Sequence, residues 1–206
     1  IKKNVDAGFS IVSYTANGTD GASVGHGLDS APEMIIYKGT NATGNWIVLT
    51  TAIDGSADYL FLNTTAAKGD YPSNYTPTDN LFYNISSSST LQFIAYCFAS
   101  KAGYSKVGSY SGTGAIGNVQ YVGFEPGFII IKNTTSAASW FIYDNKRDTT
   151  NPNSAVLLAD DSYQEQTETF RGINLNSNGF EAGNSVNYNY SGTNGSGQTY
   201  IFLAIK

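Results

Sequence analysis

Charge, cysteine, histidine and long apolar runs are all scarce in this chain, and each shortage excludes something. Only 13% of its 206 residues are Asp, Glu, Lys or Arg, against roughly 25% in ordinary globular domains. The eleven basic residues are scattered apart from Lys2-Lys3 and Lys146-Arg147, and the net charge is −5. No nucleic-acid partner is expected, because such binding draws most of its affinity from Lys and Arg neutralising phosphates. A polybasic membrane patch is missing for the same reason. No apolar stretch reaches the ~20 residues that a bilayer-spanning helix needs, so membrane insertion is not expected, and no secretory signal is visible. The chain opens on Ile1, which reads as a segment of a longer protein or a processed product.

Cys97 is the single cysteine, set in the apolar run Phe93-Ile94-Ala95-Tyr96-Cys97-Phe98. It can form no intrachain disulfide and no cysteine-based metal site, and reads as a small buried hydrophobe. His26 is the single histidine, between Gly25 and Gly27. A Ser-His-Asp site would have to use it as base, yet no nucleophile elbow accompanies it, so it reads as a turn or edge histidine. Glu165 with Glu168, or Asp144 with Asp148, could mimic the paired carboxylates of a glycosidase. Proximity in sequence does not supply the separation across a sugar ring which that chemistry needs. Asp160-Asp161 and Asp144/Asp148 could offer oxygen ligands to calcium, but no calcium-loop spacing supports them. The expectation is therefore a non-enzymatic chain with no metal and no cofactor.

What is present is a repeat. Ala31-Pro32-Glu33-Met34-Ile35-Ile36-Tyr37-Lys38, a turn and Trp46-Ile47-Val48 return as Glu125-Pro126-Gly127-Phe128-Ile129-Ile130-Ile131-Lys132, a turn and Trp140-Phe141-Ile142. A fixed period of this kind marks a duplicated structural unit. The echo extends to Gly8-Phe9-Ser10 with Gly103-Tyr104-Ser105, Tyr59–Leu62 with Ala155–Leu158, and Phe93–Tyr96 with Tyr200–Leu203. Each repeated piece is short, β-branched or aromatic, and bounded by turn pairs such as Asn17-Gly18, Asp54-Gly55 and Asn178-Gly179. No segment holds a 3.6-residue apolar stripe for three turns, although Thr167 to Leu175 fits a brief helix about as well as a strand.

The pattern predicts an all-β chain of two tandem β-sandwich, jelly-roll-like domains related by the repeat. An N-terminal arm would cover 1–7, the first sandwich 8–99 and the second 103–206, with a single pseudo-symmetric sandwich as the competing arrangement. Trp46 and Trp140, at matched places before apolar residues, are expected in the cores. Eight Asn-x-Ser/Thr tripeptides offer glycosylation sites in a host that glycosylates.

The halves disagree at an insertion, Asn145–Asn153, and in extra material from Gln164 to Gly197. Loops on a rigid β scaffold are where recognition usually sits. Lys146, Arg147 and Asp148 in the insertion, and Tyr188, Tyr190 and Asn194 in the Tyr/Ser/Gly/Asn-rich stretch, are the candidate ligand-binding residues.

Ser10-Ile11-Val12-Ser13-Tyr14-Thr15-Ala16-Asn17-Gly18-Thr19, Gly25-His26-Gly27-Leu28 and Ala31-Pro32-Glu33-Met34-Ile35 resemble the opening of a phage module of unassigned function. That module recurs in tail-fibre and other virion structural proteins of marine and cyanobacterial phages. The resemblance continues through Tyr59–Thr65, Ile94–Ala99, Gly103–Tyr110 and Thr199–Ile205. It implies a virion-associated structural or receptor-facing role. The expected partners are other virion proteins or copies of the chain itself in a homo-oligomer, and the aromatic inventory suits a host-surface glycan as ligand. The resemblance supplies no catalytic residue. The alternative is a decoration or filament subunit with a purely assembly role, its residues 1–7 added to a neighbour's sheet.

Overall fold

The computed structural model describes residues 1–167, 169–183 and 189–206. Among these the chain is nearly all β, in several antiparallel sheets with only two single-turn 3-10 helices. It divides into two compact units, one of Ile1–Leu62 and Gly69–Lys101, the other of Asn63–Lys68 and Ala102–Lys206. Residues 63–68 thus belong to the second unit, although in sequence they lie within the first.

The first unit contains β1 (Lys2–Asn4), β2 (Phe9–Thr15), β3 (Ser23–Gly25), β4 (Met34–Gly39), β5 (Ile47–Thr50), β6 (Asp58–Phe61), β7 (Gly69–Asp70), β8 (Leu81–Tyr83) and β9 (Gln92–Phe98). Its main sheet runs β1-β2-β9-β4-β5-β6-β7, and β3 pairs with β8. In β9, Phe93, Ala95 and Cys97 alternate inward, the period of two that a one-faced strand requires. Ala95 and Cys97 join Val12, Ile35, Tyr37 and Leu49 of the main sheet and Phe82 of the small one in a single core. Cys97 is buried there, and burial pushes its thiol up to about 12.

The second unit contains β10 (Ser105–Ser111), β11 (Asn118–Tyr121), β12 (Phe128–Asn133), β13 (Trp140–Asp144), β14 (Ala155–Leu158), β15 (Gln166–Thr167), β16 (Asn174–Asn176), β17 (Gly179–Ala182) and β18 (Thr199–Ile205). The main sheet runs β10-β18-β12-β13-β14-β15, and β11-β17-β16 form a smaller one. Phe180 of the small sheet meets Tyr110 and Phe202 of the large one edge-on, at 5.9 and 5.1 Å. β18 is buried along most of its length because it is central in its sheet and covered on its inner face, which is why it reads as a nearly unbroken apolar run. Gly108 of β10 faces Phe202, whose ring would lie 2.7 Å from a Cβ at that position. A side chain there would displace the core ring.

Several expectations change here. The N-terminal arm is an edge strand of its own unit: β1 pairs with β2, Lys2 opposite Ile11. Thr167 to Leu175 is neither one helix nor one strand; the described part holds a 3-10 turn, Thr169–Arg171, and then β16. The repeat also slips by one residue in two places. Leu62 N donates to Trp46 O as Ala159 N does to Trp140 O, so Leu62 corresponds to Ala159, not Leu158. Ala99 N on Gly8 O likewise matches Lys206 N on Tyr104 O. Single-residue differences in turns are invisible to an apolar-pattern match, yet each reverses which side chains face the core. Finally, Trp140 is buried while Trp46 is half-exposed, against Tyr96 at 6.4 Å and with the Lys38 ammonium 6.0 Å from its ring.

Candidate functional site

The loop stretches of the second unit close around a cleft of about 310 Å³. Phe141 of β13 and Leu158 of β14 supply its apolar wall, and Gln166 of β15 and Arg171 of the 3-10 turn supply polar groups. Asp161 and Tyr163 come from the β14–β15 loop, and Tyr190, Ser191 and Gly192 from the segment before β18. The Tyr190 ring stands edge-on to Phe141 at 5.8 Å and to Phe170 at 5.5 Å. Gly192 permits this, because a Cβ there would lie 2.4 Å from Tyr190 and 2.7 Å from Phe141. Arg171 stacks on Phe170 at 5.3 Å, and its carbonyl accepts the Tyr143 hydroxyl at 2.7 Å. Tyr163 is 67% exposed. The cleft thus joins an apolar wall to a carboxylate, a guanidinium, an amide and two phenols.

Of the residues expected to bind ligand, Tyr190 lies in this cleft and Tyr188 lies outside the described residues. Asn194 is corrected: it is fully buried. Its side-chain oxygen accepts from Thr113 N at 3.0 Å and Asn118 Nδ2 at 2.6 Å, and its amide donates to Ala115 O at 2.9 Å. Its polar groups tie the Thr113–Asn118 stretch to the segment before β18. Asn84 and Asn133 are equally buried, so these three tripeptides are closed to glycosylation in the folded chain.

Lys146, Arg147 and Asp148 do not line the cleft. Lys146 borders a different depression with Glu125, Asp144 and Lys206. Arg147 is ion-paired to Asp144 and Glu165. Asp148 is a loop staple: its carboxylate accepts from Thr150 N at 2.9 Å, Ser154 N at 2.7 Å and Ala155 N at 3.0 Å, besides the Thr150 hydroxyl. Partial burial pushes its pKa up, but these donors outweigh that and leave it at about 2. Asp148→Ala is expected to destabilise the chain by about 2–3 kcal/mol at neutral pH. The carboxylate's contribution is present above its unfolded pKa and is lost as pH falls through about 2. The urea midpoints of the two proteins should therefore converge in strong acid; a constant gap would mean the carboxylate charge is irrelevant.

His26 is buried, with Nδ1 accepting Leu28 N at 3.1 Å and Nε2 donating to Thr78 O at 3.0 Å. Burial lowers its pKa despite the Thr78 carbonyl and nearby Asp79. Both nitrogens are occupied in shaping a turn. Among the described residues no three His, Cys, Asp or Glu side chains gather as a metal site, and no helix is long and apolar enough to cross a membrane.

Tyr163, Gln166 and Arg171 were missed by reasoning along the chain, and Asp161 was weighed only as a calcium ligand. One signal was available: Arg171 is one of only two arginines, placed in the segment where the copies differ. The family described as a domain of unknown function, DUF7483, matches residues 1–206. No curated protein and no solved structure matches the chain.

Proposed function

This chain belongs to the DUF7483 family, and we propose that it is a non-enzymatic structural module of a phage virion, part of a tail or head fibre, that binds host-surface glycan. On this reading each unit is one jelly-roll-like sandwich of a tandem pair, and the second carries recognition. The observation that carries it is the cleft, where Tyr190, Tyr163, Asp161, Gln166 and Arg171 converge beside Phe141 and Leu158. Aromatic rings stack on sugar faces while the charged and amide groups satisfy hydroxyls, and the low surface charge limits nonspecific attraction. The resemblance in the strand segments supports the virion location.

The test is titration of the protein with neutral hexose oligosaccharides prepared from host envelopes. Arg171→Ala and Tyr163→Ala are each expected to weaken binding at least about tenfold, the size of one lost polar or stacking contact. No new reducing ends should appear on prolonged incubation. Binding that is unaffected by both substitutions, or no binding to any envelope sugar, overturns the reading. The second reading, a decoration or filament subunit, is favoured by the exposed Lys38–Trp46 hairpin.

A further inference from the structure

The two hairpins of the repeat are chemically matched, but they differ in what covers them. In the second unit, Lys132 is fully buried and donates to Thr65 O at 3.0 Å and Ala138 O at 2.6 Å. Ala138 N donates to the same Thr65 O at 2.9 Å, and Lys68 N donates to Thr134 O at 3.0 Å. Residues 63–68 are thus laid along the β12–β13 hairpin through backbone hydrogen bonds. Trp140 and Thr134 are buried in this unit.

The first unit keeps the same hairpin: Lys38, Thr40, Gly44 and Trp46 stand in the register of Lys132, Thr134, Ala138 and Trp140. Lys38 Nζ donates to Gly44 O at 2.7 Å, as Lys132 does to Ala138 O. Among the described residues no such segment is hydrogen-bonded along it. Lys38 and Trp46 are half-exposed, and Thr40 and Gly44 exposed. Thr40 O and Gly44 N have no partner among the described residues.

The complementary half is also present. Leu62 and Ala159 occupy the same place beside Trp46 and Trp140, so the β14–β15 loop, residues 159–165, is the counterpart of 62–68. The local turn is the same: Ala66 N donates to Thr64 Oγ1 at 3.4 Å, and Tyr163 N to Asp161 Oδ1 at 3.3 Å. Ser162 then stands for Thr65 and Glu165 for Lys68. Ser162 O and Glu165 N have no partner among the described residues either.

One chain therefore carries, unpaired, both sides of a contact that it already makes once in paired form. We propose that the β14–β15 loop of one copy docks on the β4–β5 hairpin of the next. Ser162 O accepts from Gly44 N and Lys38 Nζ, and Glu165 N donates to Thr40 O. Charge favours the match, since residues 159–165 carry Asp160 and Asp161 besides the Arg147-paired Glu165, and residues 38–46 carry Lys38 and no carboxylate. The two surfaces differ, so the contact is heterologous and repeats copies head to tail, as neighbouring repeats do in a solenoid. It uses backbone atoms of the loop and stands whether or not the cleft binds sugar.

Thiol cross-linking tests this on the intact chain, because Cys97 is buried and unreactive. Gly44→Cys places its side chain in open space, and Ser162→Cys falls at an exposed position. An equimolar mixture of the two single variants, one carrying a mass tag, should give heterodimer with a short bifunctional reagent, about tenfold above either homodimer. Adding Lys38→Glu to the Gly44→Cys chain should cut that yield about tenfold; Lys38→Gln serves if the reversed charge perturbs folding. Arg171→Ala should leave it unchanged while weakening sugar binding. Homodimers in equal yield, no heterodimer, or a heterodimer indifferent to Lys38 would overturn the proposal.

Discussion

Asn194→Ala is expected to destabilise the chain by about 3–5 kcal/mol, a large part of what a domain has. The substitution strips Thr113 N and the Asn118 amide of their acceptor and Ala115 O of its donor, all at a fully buried site. A buried polar group left without a partner costs more than the net worth of the bond it lost, because its water is not returned. The neighbourhood has no room to improvise: Gly183 comes so close that a Cβ on it would lie 2.2 Å from Asn194 Nδ2. Urea unfolding of the variant against the parent measures the loss. Sugar affinity of the remaining folded fraction should stay unchanged, which separates a structural hub from a ligand contact. An unchanged midpoint would refute the hub.

The second large effect is alkaline unfolding. Tyr37, Tyr110 and Tyr143 are buried in the cores, and burial holds each phenol well above its ordinary value. Tyr71, Tyr75 and Tyr200 are pushed up to about 12 for the same reason. Their protons are in use: Tyr110 donates to Thr193 O at 2.6 Å, and Tyr143 to Arg171 O at 2.7 Å. Above pH ~10 an unfolded tyrosine releases its proton and a buried one keeps it. The unfolded state then binds fewer protons, so stability falls as pH rises. One unit above the unfolded pKa, the three core tyrosines alone remove about 4 kcal/mol.

Lys132 acts the other way at lower pH. Burial lowers its pKa to about 8, although nearby Asp160 pulls it up. Between there and the ordinary lysine value near 10.5 the unfolded lysine keeps a proton that the folded one has lost, so stability rises with pH. The urea midpoint should climb gently from about pH 8, pass a maximum near about pH 10, and then collapse. Tyrosinate absorbance should appear together with the loss of sheet signal. Core tyrosines that ionise at their ordinary pKa in a still folded chain would sink this prediction.

Much of the fold was legible along the chain, because strand, turn and repeat are written in near neighbours. The apolar run Phe93 to Phe98 falls in β9, and Cys97 within it is buried as expected. Proline, lysine and tryptophan kept one register through β4–β5 and β12–β13. The match of Phe93–Tyr96 to Tyr200–Leu203 also survives, since Ile36 opposes Tyr96 as Ile130 opposes Leu203. The site was legible only as a region. Tyr190 was found through its odd composition, while Asp161, Gln166 and Arg171 reach it from three separate elements. Asn194 shared that composition and serves the scaffold instead.

The sequence by itself determined an all-β chain, its turns and its doubled hairpin, because apolar period and turn chemistry act over a few residues. Only the tertiary structure decided which of two matched motifs is closed. Lys38 and Lys132 sit in the same local words, yet one is half-exposed and the other fully buried. The difference comes from residues 63–68, more than sixty positions before Lys132. Burial and hydrogen-bond partners are set by such distant segments, and no local pattern of charge or hydropathy encodes which lysine receives one.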